Sequence, residues 1–263
     1  MIVFSAIVPH SPLLLPTIGK EHRELLAQTS EAYHEIEQAL YASRPETIVM
    51  ISPHAPLYPD AFSANVSNEF TGTVKEFGDH GTAINAKADF LLTDRIHRGM
   101  REATLPFTLT SNTELDYGFT VPLVLLTSQL KQWKLIPLSI SGLDAASHVR
   151  FGQELGQILQ AESTRVAVIA SVDLSHHANA KSPQGERPEG ISFDQAAQEA
   201  ITRHTRAPFD QLPPATLERA GQCAHKPLLM YLSALEPLQG TPHVHCYEAP
   251  FGVGYLTAEF RLA

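Results

Sequence analysis

The chain reads as an α/β protein: a mostly parallel central sheet flanked by helices on both faces, with additional edge or antiparallel strands. Three observations predict it. Almost continuous apolar runs recur at 2–8 (IVFSAIV), 47–52 (TIVMIS) and 165–171 (RVAVIAS), the pattern of strands buried on both faces. Residues 20–42 carry Leu25, Leu26, Ala32, Ile36 and Leu40 at helical spacing between the first two runs. Each run then gives way to a polar turn, as at the carboxyl ends of β-α-β units. Such alternation builds a parallel sheet with helices on both faces, and ligands sit beyond the carboxyl ends of its strands.

The elements follow in order. The first helix stops before Arg44-Pro45, since proline disfavours helix in the residue before it. Residues 62–77 alternate and predict one or two exposed or edge strands. Residues 85–102 read as helix with Ala88, Leu91, Leu92 and Ile96 on one face, and 120–130 as helix with Pro122 in its first turn. A strand at 134–140 and an amphipathic helix at 146–161 precede the run at 165–171. The stretch 178–191, rich in Pro, Gly and charge, reads as a mobile loop. Helices at 193–205 and 223–235 and β-like runs at 243–248 and 253–261 complete the chain. With no repeat and no Gly/Ser-rich or Pro-rich linker, one domain over 1–263 is expected.

Composition excludes some functions. Of 263 residues 43% are hydrophobic and 18% charged, enough apolar material for a sizeable core. A net charge of −9 argues against nucleic-acid and anionic-membrane partners, which need basic patches. The opening MIVFSAIVPHSPLLLP has no basic segment or cleavage site, and Pro9, His10, Ser11 and Pro12 interrupt it, so neither a secretory signal nor a membrane span is expected. Two cysteines, Cys223 and Cys246, make no disulfide framework, and a cytoplasmic location is the expectation.

The 13 histidines carry most of the chemical signal. His22, His34 and His97 fall in charged helical patterns. His10, His54 and His176 instead follow the three apolar runs, and Pro9 and Pro53 fix the backbone before the first two. Parallel strands bring such ends together. Glu248, in HVHCYEAPFGVGY, is the candidate carboxylate. Two imidazoles and one carboxylate leave open positions on an octahedral ion, which suits iron(II) binding a chelating substrate and O₂. His176 is then free for acid–base work near neutral pH. Against this stands the plainer reading, in which a strand-end histidine only satisfies hydrogen bonds and each cysteine is a small buried apolar residue.

These motifs together resemble the class III extradiol ring-cleavage dioxygenase family, of the protocatechuate 4,5-dioxygenase catalytic-subunit type. Within it the chain looks most similar to the Memo-like, AmmeMemoRadiSam-system dioxygenase-like proteins. PHSPLLLPTIG (9–19), SPH (52–54), ELDYG-x-x-VPL (114–123), DLSH (173–176), PQGERPEGISFD (183–194) and YEAPFGVGY (247–255) carry the resemblance in order. It implies His10, His54 and Glu248 as iron ligands, His176 as the acid–base residue and Asp173 as its neighbour in the same loop. It also implies a small aromatic substrate with O₂, and a homo-oligomer, commonly a dimer.

Two positions depart from the pattern. Tyr117 stands where ring-cleaving members usually have a histidine that handles oxygen or substrate protons. Cys246 lies two residues from Glu248, and a thiolate there would turn the preference from iron towards copper or zinc. The readings are therefore an Fe(II) extradiol dioxygenase opening a catechol-like ring, a Memo-like metal-binding or redox protein working with a partner, and, last, a zinc hydrolase. His225 is a further candidate near the site, and Lys181, Arg187 and Lys226 are candidates for meeting an acidic substrate.

Overall fold

The structure, a computed structural model, describes residues 1–263. Its first half runs β1 (Ile2–Val8), α1 (Pro16–Gly19), α2 (Ala27–Ser43), β2 (Thr47–Ser52), β3 (Phe62–Asn65), β4 (Glu69–Val74), β5 (Asp79–Ala88) and α3 (Phe90–Glu102). It continues with β6 (Phe107–Thr110), β7 (Glu114–Leu115), α4 (Tyr117–Leu126), β8 (Lys134–Ser139), α5 (Ala145–Ala161) and β9 (Val166–Ser171). The last part holds α6 (Pro188–Thr202), α7 (Ala207–Asp210), α8 (Pro214–Arg219), α9 (His225–Leu235), β10 (Gly240–Glu248) and β11 (Tyr255–Leu262).

The strands form one 11-stranded mixed sheet in the order β10-β11-β1-β9-β2-β8-β5-β4-β7, with β3 pairing β8 and β6 beside that path. Its centre, β1-β9-β2-β8, is parallel, while β11 runs antiparallel to β1 and to β10. Alternate residues of each central strand enter opposite cores, as the period of two requires. Val49 and Ile51 pack with α3, α5, α6 and α9, while Ile48 and Met50 pack with α2 and α4. All six residues of β2 and of β9 are buried, which is why those runs lack polar alternation.

Several boundaries differ from expectation. Residues 20–26 form a tighter 3₁₀ run, and the α-helix begins at Ala27. The segment 85–88 belongs to the long strand β5. The helix starts after Asp89, whose carboxylate accepts from Leu92 N at 3.2 Å and so caps it. Asp116 likewise accepts from Gly118 N at 2.7 Å and starts α4 at Tyr117. Pro122 is consequently inside that helix and not in its first turn.

The stretch 178–191 is pinned along its length and holds the first turn of α6. Ala178 N donates to Gly252 O (3.0 Å), Asn179 Nδ2 to Ala249 O (2.8 Å) and Arg187 N to His177 O (3.2 Å). Its Pro and Gly residues serve turns rather than freedom. Both cysteines are free thiols, and no helix is long and apolar enough to cross a membrane.

Candidate metal centre

The order β1-β9-β2 places three strand ends side by side. His10 follows β1, His54 follows β2, and Ser171 ends β9 between them. The result is close approach: the Nε2 atoms of His10 and His54 are 3.0 Å apart, with the rings at 82°. Cys223 Sγ stands 3.8 Å from His10 Nε2. One ligand atom from each of His10, His54 and Cys223 falls within 4.8 Å of the others.

These spacings fit one ion. Metal bonds of about 2.1 Å to imidazole and 2.3 Å to thiolate sum to more than either distance from His10 Nε2, which leaves room for one cation against both neighbours. Charge agrees as well. Burial draws His10 down to about 3, and desolvation with the neighbouring His10 draws His54 down to about 4, so both rings are neutral near pH 7. Burial and Asp173 push the Cys223 thiol up, so it keeps its proton until a cation displaces it. His176 adds an orphan, because its Nε2 is buried without any hydrogen-bond partner.

Asp173 and Tyr117 both join the centre. Asp173 Oδ1 accepts from His10 N at 3.0 Å, and its carbonyl accepts from Cys223 Sγ at 3.1 Å. Burial raises its carboxyl to about 6. The Tyr117 hydroxyl lies 3.0 Å from His54 Nε2 and 3.3 Å from Nδ1. Gly118 permits this crowding, since a Cβ there would stand 2.5 Å from Ser52 Oγ and 3.2 Å from His54 Cδ2.

His176 is held by a fully bonded loop. Leu174 N donates to Gly254 O (2.8 Å), His176 N to Gly221 O (3.2 Å) and Ser175 N to Asp194 Oδ1 (2.8 Å). Tyr247 donates its hydroxyl to the other Asp194 oxygen at 2.7 Å, and burial raises Asp194 to about 7. The two long motifs 183–194 and 247–255 thus meet in one Asp–Tyr pair behind the DLSH loop.

Glu248 is placed elsewhere. It ends β10, and β11 lies between β10 and β1, so it is two strand spacings from β1, roughly 10 Å. Its Oε1 accepts from Thr29 N (2.8 Å) and Thr29 Oγ1 (2.5 Å), in the first turn of α2. That helix has no cap from its own Leu26, so Glu248 supplies one from across the fold. Cys246 is buried beside Thr29, with Sγ 4.0 Å from Thr29 Oγ1. The cysteine brought to the histidines is Cys223, from the turn before α9, a segment with no strand to announce it.

His225 lies two residues further on, packed edge-on against Phe209 with centroids 5.3 Å apart. Lys226 donates to Ser141 O at 2.8 Å and Arg187 to Arg219 O at 3.2 Å, so both are engaged with backbone. A cavity of about 800 Å³ opens beside His54 and Tyr117, with Thr73, Lys75, Glu76 and Asp116 in its walls. A larger one, about 940 Å³, lies at the opposite, amino-terminal edge of the strands around Thr47 and Lys134, remote from this chemistry.

Fold and site together define an α/β protein with a His–His–Cys group at the carboxyl edge of a parallel sheet, spaced as a metal ion would need. The family model for the catalytic LigB subunit of aromatic ring-opening dioxygenase matches residues 5–257, and the chain belongs to that family. It is similar to Protein CA_C1420 of Clostridium acetobutylicum, with 24% identity over 258 residues, 95% of this chain and 55% of the relative. The chain thus spans about half the length of that curated relative. The crystal structure of uncharacterized protein JW3007 from Escherichia coli K12 superposes with a TM-score of 0.68 at 18% identity, over 98% of this chain and 99% of that one, a likeness of fold.

Proposed function

We propose that this chain is a metal-dependent extradiol dioxygenase that opens the ring of a catechol-like substrate. The supporting observation is the meeting of two neutral imidazoles and a thiol, His10, His54 and Cys223, beside the unpartnered Nε2 of His176. In this reading His10, His54 and Cys223 hold the ion, iron(II) by the family's chemistry. Glu248, the carboxylate expected from sequence, serves α2 instead. An ion held by these three residues would supply Lewis acidity for the diol oxygens and a redox centre for O₂.

The chain's own groups do the rest. His176 takes a proton from a substrate hydroxyl at Nε2 and returns one to the product. Asp173 orients His10 through the backbone contact to His10 N. Tyr117 places a hydroxyl beside His54, where it holds a substrate or oxygen atom in register. The cavity next to His54 admits an aromatic ring from solvent. One O₂ is consumed per diol, the carbon–carbon bond beside the two hydroxyls breaks, and both oxygen atoms remain in the open-chain product.

Anaerobic loading with Fe(II), followed by O₂ uptake and ring-fission absorbance on a catechol panel, tests this. No turnover by iron-loaded protein on any catechol would overturn it.

A second reading is favoured by Cys223. A thiolate turns a two-histidine site towards softer ions such as copper(I) or zinc. The chain would then be a Memo-like metal-binding or redox protein without ring cleavage, acting with a partner. Copper or zinc as the resident metal, dependent on Cys223, supports it.

A further inference from the structure

Proline has no amide hydrogen, so within an α-helix the carbonyl four residues earlier loses its partner. In α4 that carbonyl belongs to Gly118, because Pro122 lies inside Tyr117–Leu126. The sheet provides a substitute: Ser171, the last residue of β9, donates its hydroxyl proton to Gly118 O. Ser171 is fully buried, so water does not compete for either group.

A serine hydroxyl has one hydrogen. With that hydrogen committed to Gly118, Ser171 Oγ faces His10 Nδ1 at 3.0 Å as an acceptor. The nitrogen opposite must carry the ring proton. Otherwise two lone pairs would face each other at hydrogen-bond distance in a buried site, which is strongly unfavourable. A ring whose single proton sits on Nδ1 keeps a lone pair on Nε2. In the metal-free protein that lone pair accepts from His54 Nε2 at 3.0 Å, and it lies 3.8 Å from Cys223 Sγ. The Asp173 carboxylate does not oppose this, since its Oδ2 is 3.8 Å from Nε2, beyond hydrogen-bond reach.

We propose that Pro122, Gly118 and Ser171 form a relay that locks His10 in the Nδ1-protonated tautomer, leaving Nε2 unprotonated for the ion. Ser171 is a positioning residue: it touches the ligand and not the metal. Pro122 acts at one further remove, by freeing the carbonyl that orients the serine. A helix-interior proline thereby sets the protonation of a side chain on a different element. The consequence for metal binding rests on the reading that His10, His54 and Cys223 form the site, but the tautomer itself does not.

The test is long-range ¹⁵N–¹H correlation on histidine-labelled, metal-free protein near neutral pH, with His10 assigned by its loss in His10→Gln. The expected wild-type signature is a protonated Nδ1 and an unprotonated Nε2. Ser171→Ala should move His10 towards the Nε2-protonated form and weaken Zn(II) binding, titrated as the metal alone, by about 10-fold or more. A wild-type His10 protonated at Nε2 overturns the relay without need of any variant. So does a Ser171→Ala protein whose His10 remains protonated at Nδ1. If the tautomer is as stated and wild-type protein binds no metal, the relay stands and the metal-dependent function falls.

Discussion

Glu248 caps a helix it does not belong to: its Oε1 accepts from both the backbone N–H and the hydroxyl of Thr29, in the first turn of α2. A carboxylate at that position satisfies an orphan donor and complements the helix dipole. Glu248→Gln keeps an acceptor oxygen but loses the charge, so stability is expected to fall by about 0.5 kcal/mol, the scale of a lost charge–dipole interaction. Metal stoichiometry should be unchanged. Thermal melts and metal analysis on the same preparation check both halves, and loss of metal in this variant would restore Glu248 as a ligand.

Metal binding should release a proton. His10 and His54, lowered to about 3 and about 4, are already neutral above pH 5 and have none to give. The Cys223 thiol is raised by burial and retains its proton until a cation displaces it. Affinity should therefore rise about tenfold per pH unit between roughly 6 and 8. Competition titrations at three pH values read the slope. A flat profile would mean that the thiol is not a ligand.

His176→Ala should leave the ion in place and reduce turnover by about 10²-fold or more, since the proposed role of the residue is to handle protons and not the metal. Metal content and steady-state rates separate the two roles. Joint loss of both would make His176 a ligand.

Gly118→Ala removes no ligand, yet its Cβ would stand 2.5 Å from Ser52 Oγ and 3.2 Å from His54 Cδ2. Ser52 Oγ must rotate away and the His54 ring must give by a few tenths of an ångström. A weakening of Zn(II) affinity by about 10-fold is expected, measured against an unchanged circular dichroism spectrum. Wild-type affinity in this variant would show that His54 is not held against α4 as described.

The sequence carried the sheet and half of the centre. The runs at 2–8, 47–52 and 165–171 became β1, β2 and β9 because strands buried on both faces leave an apolar signature in every residue. His10 and His54 were legible for the same reason, being the first polar residues after such strands. Glu248 stands outside the His10–His54–Cys223 group through a topological fact that no local pattern encodes. Strand β11 intervenes between β10 and β1 and carries its carboxylate away. Cys223 was missed because a turn holds it, docked through Ser175 and Gln222 in an isolated bridge. The one local hint was CAHKP, which drew attention to His225, two residues on. The loop 178–191 was misread because Pro and Gly mark tight turns as readily as freedom.

The central claim is that Cys223, with His10 and His54, holds the ion. Its most direct test is the spectrum of cobalt(II)-loaded protein. Wild type should bind one ion per chain and show a thiolate-to-metal charge-transfer band. Cys223→Ser should abolish that band and weaken binding, while Glu248→Gln keeps both. A band-free wild-type spectrum, with affinity unchanged in Cys223→Ser and lost in Glu248→Gln, would contradict it.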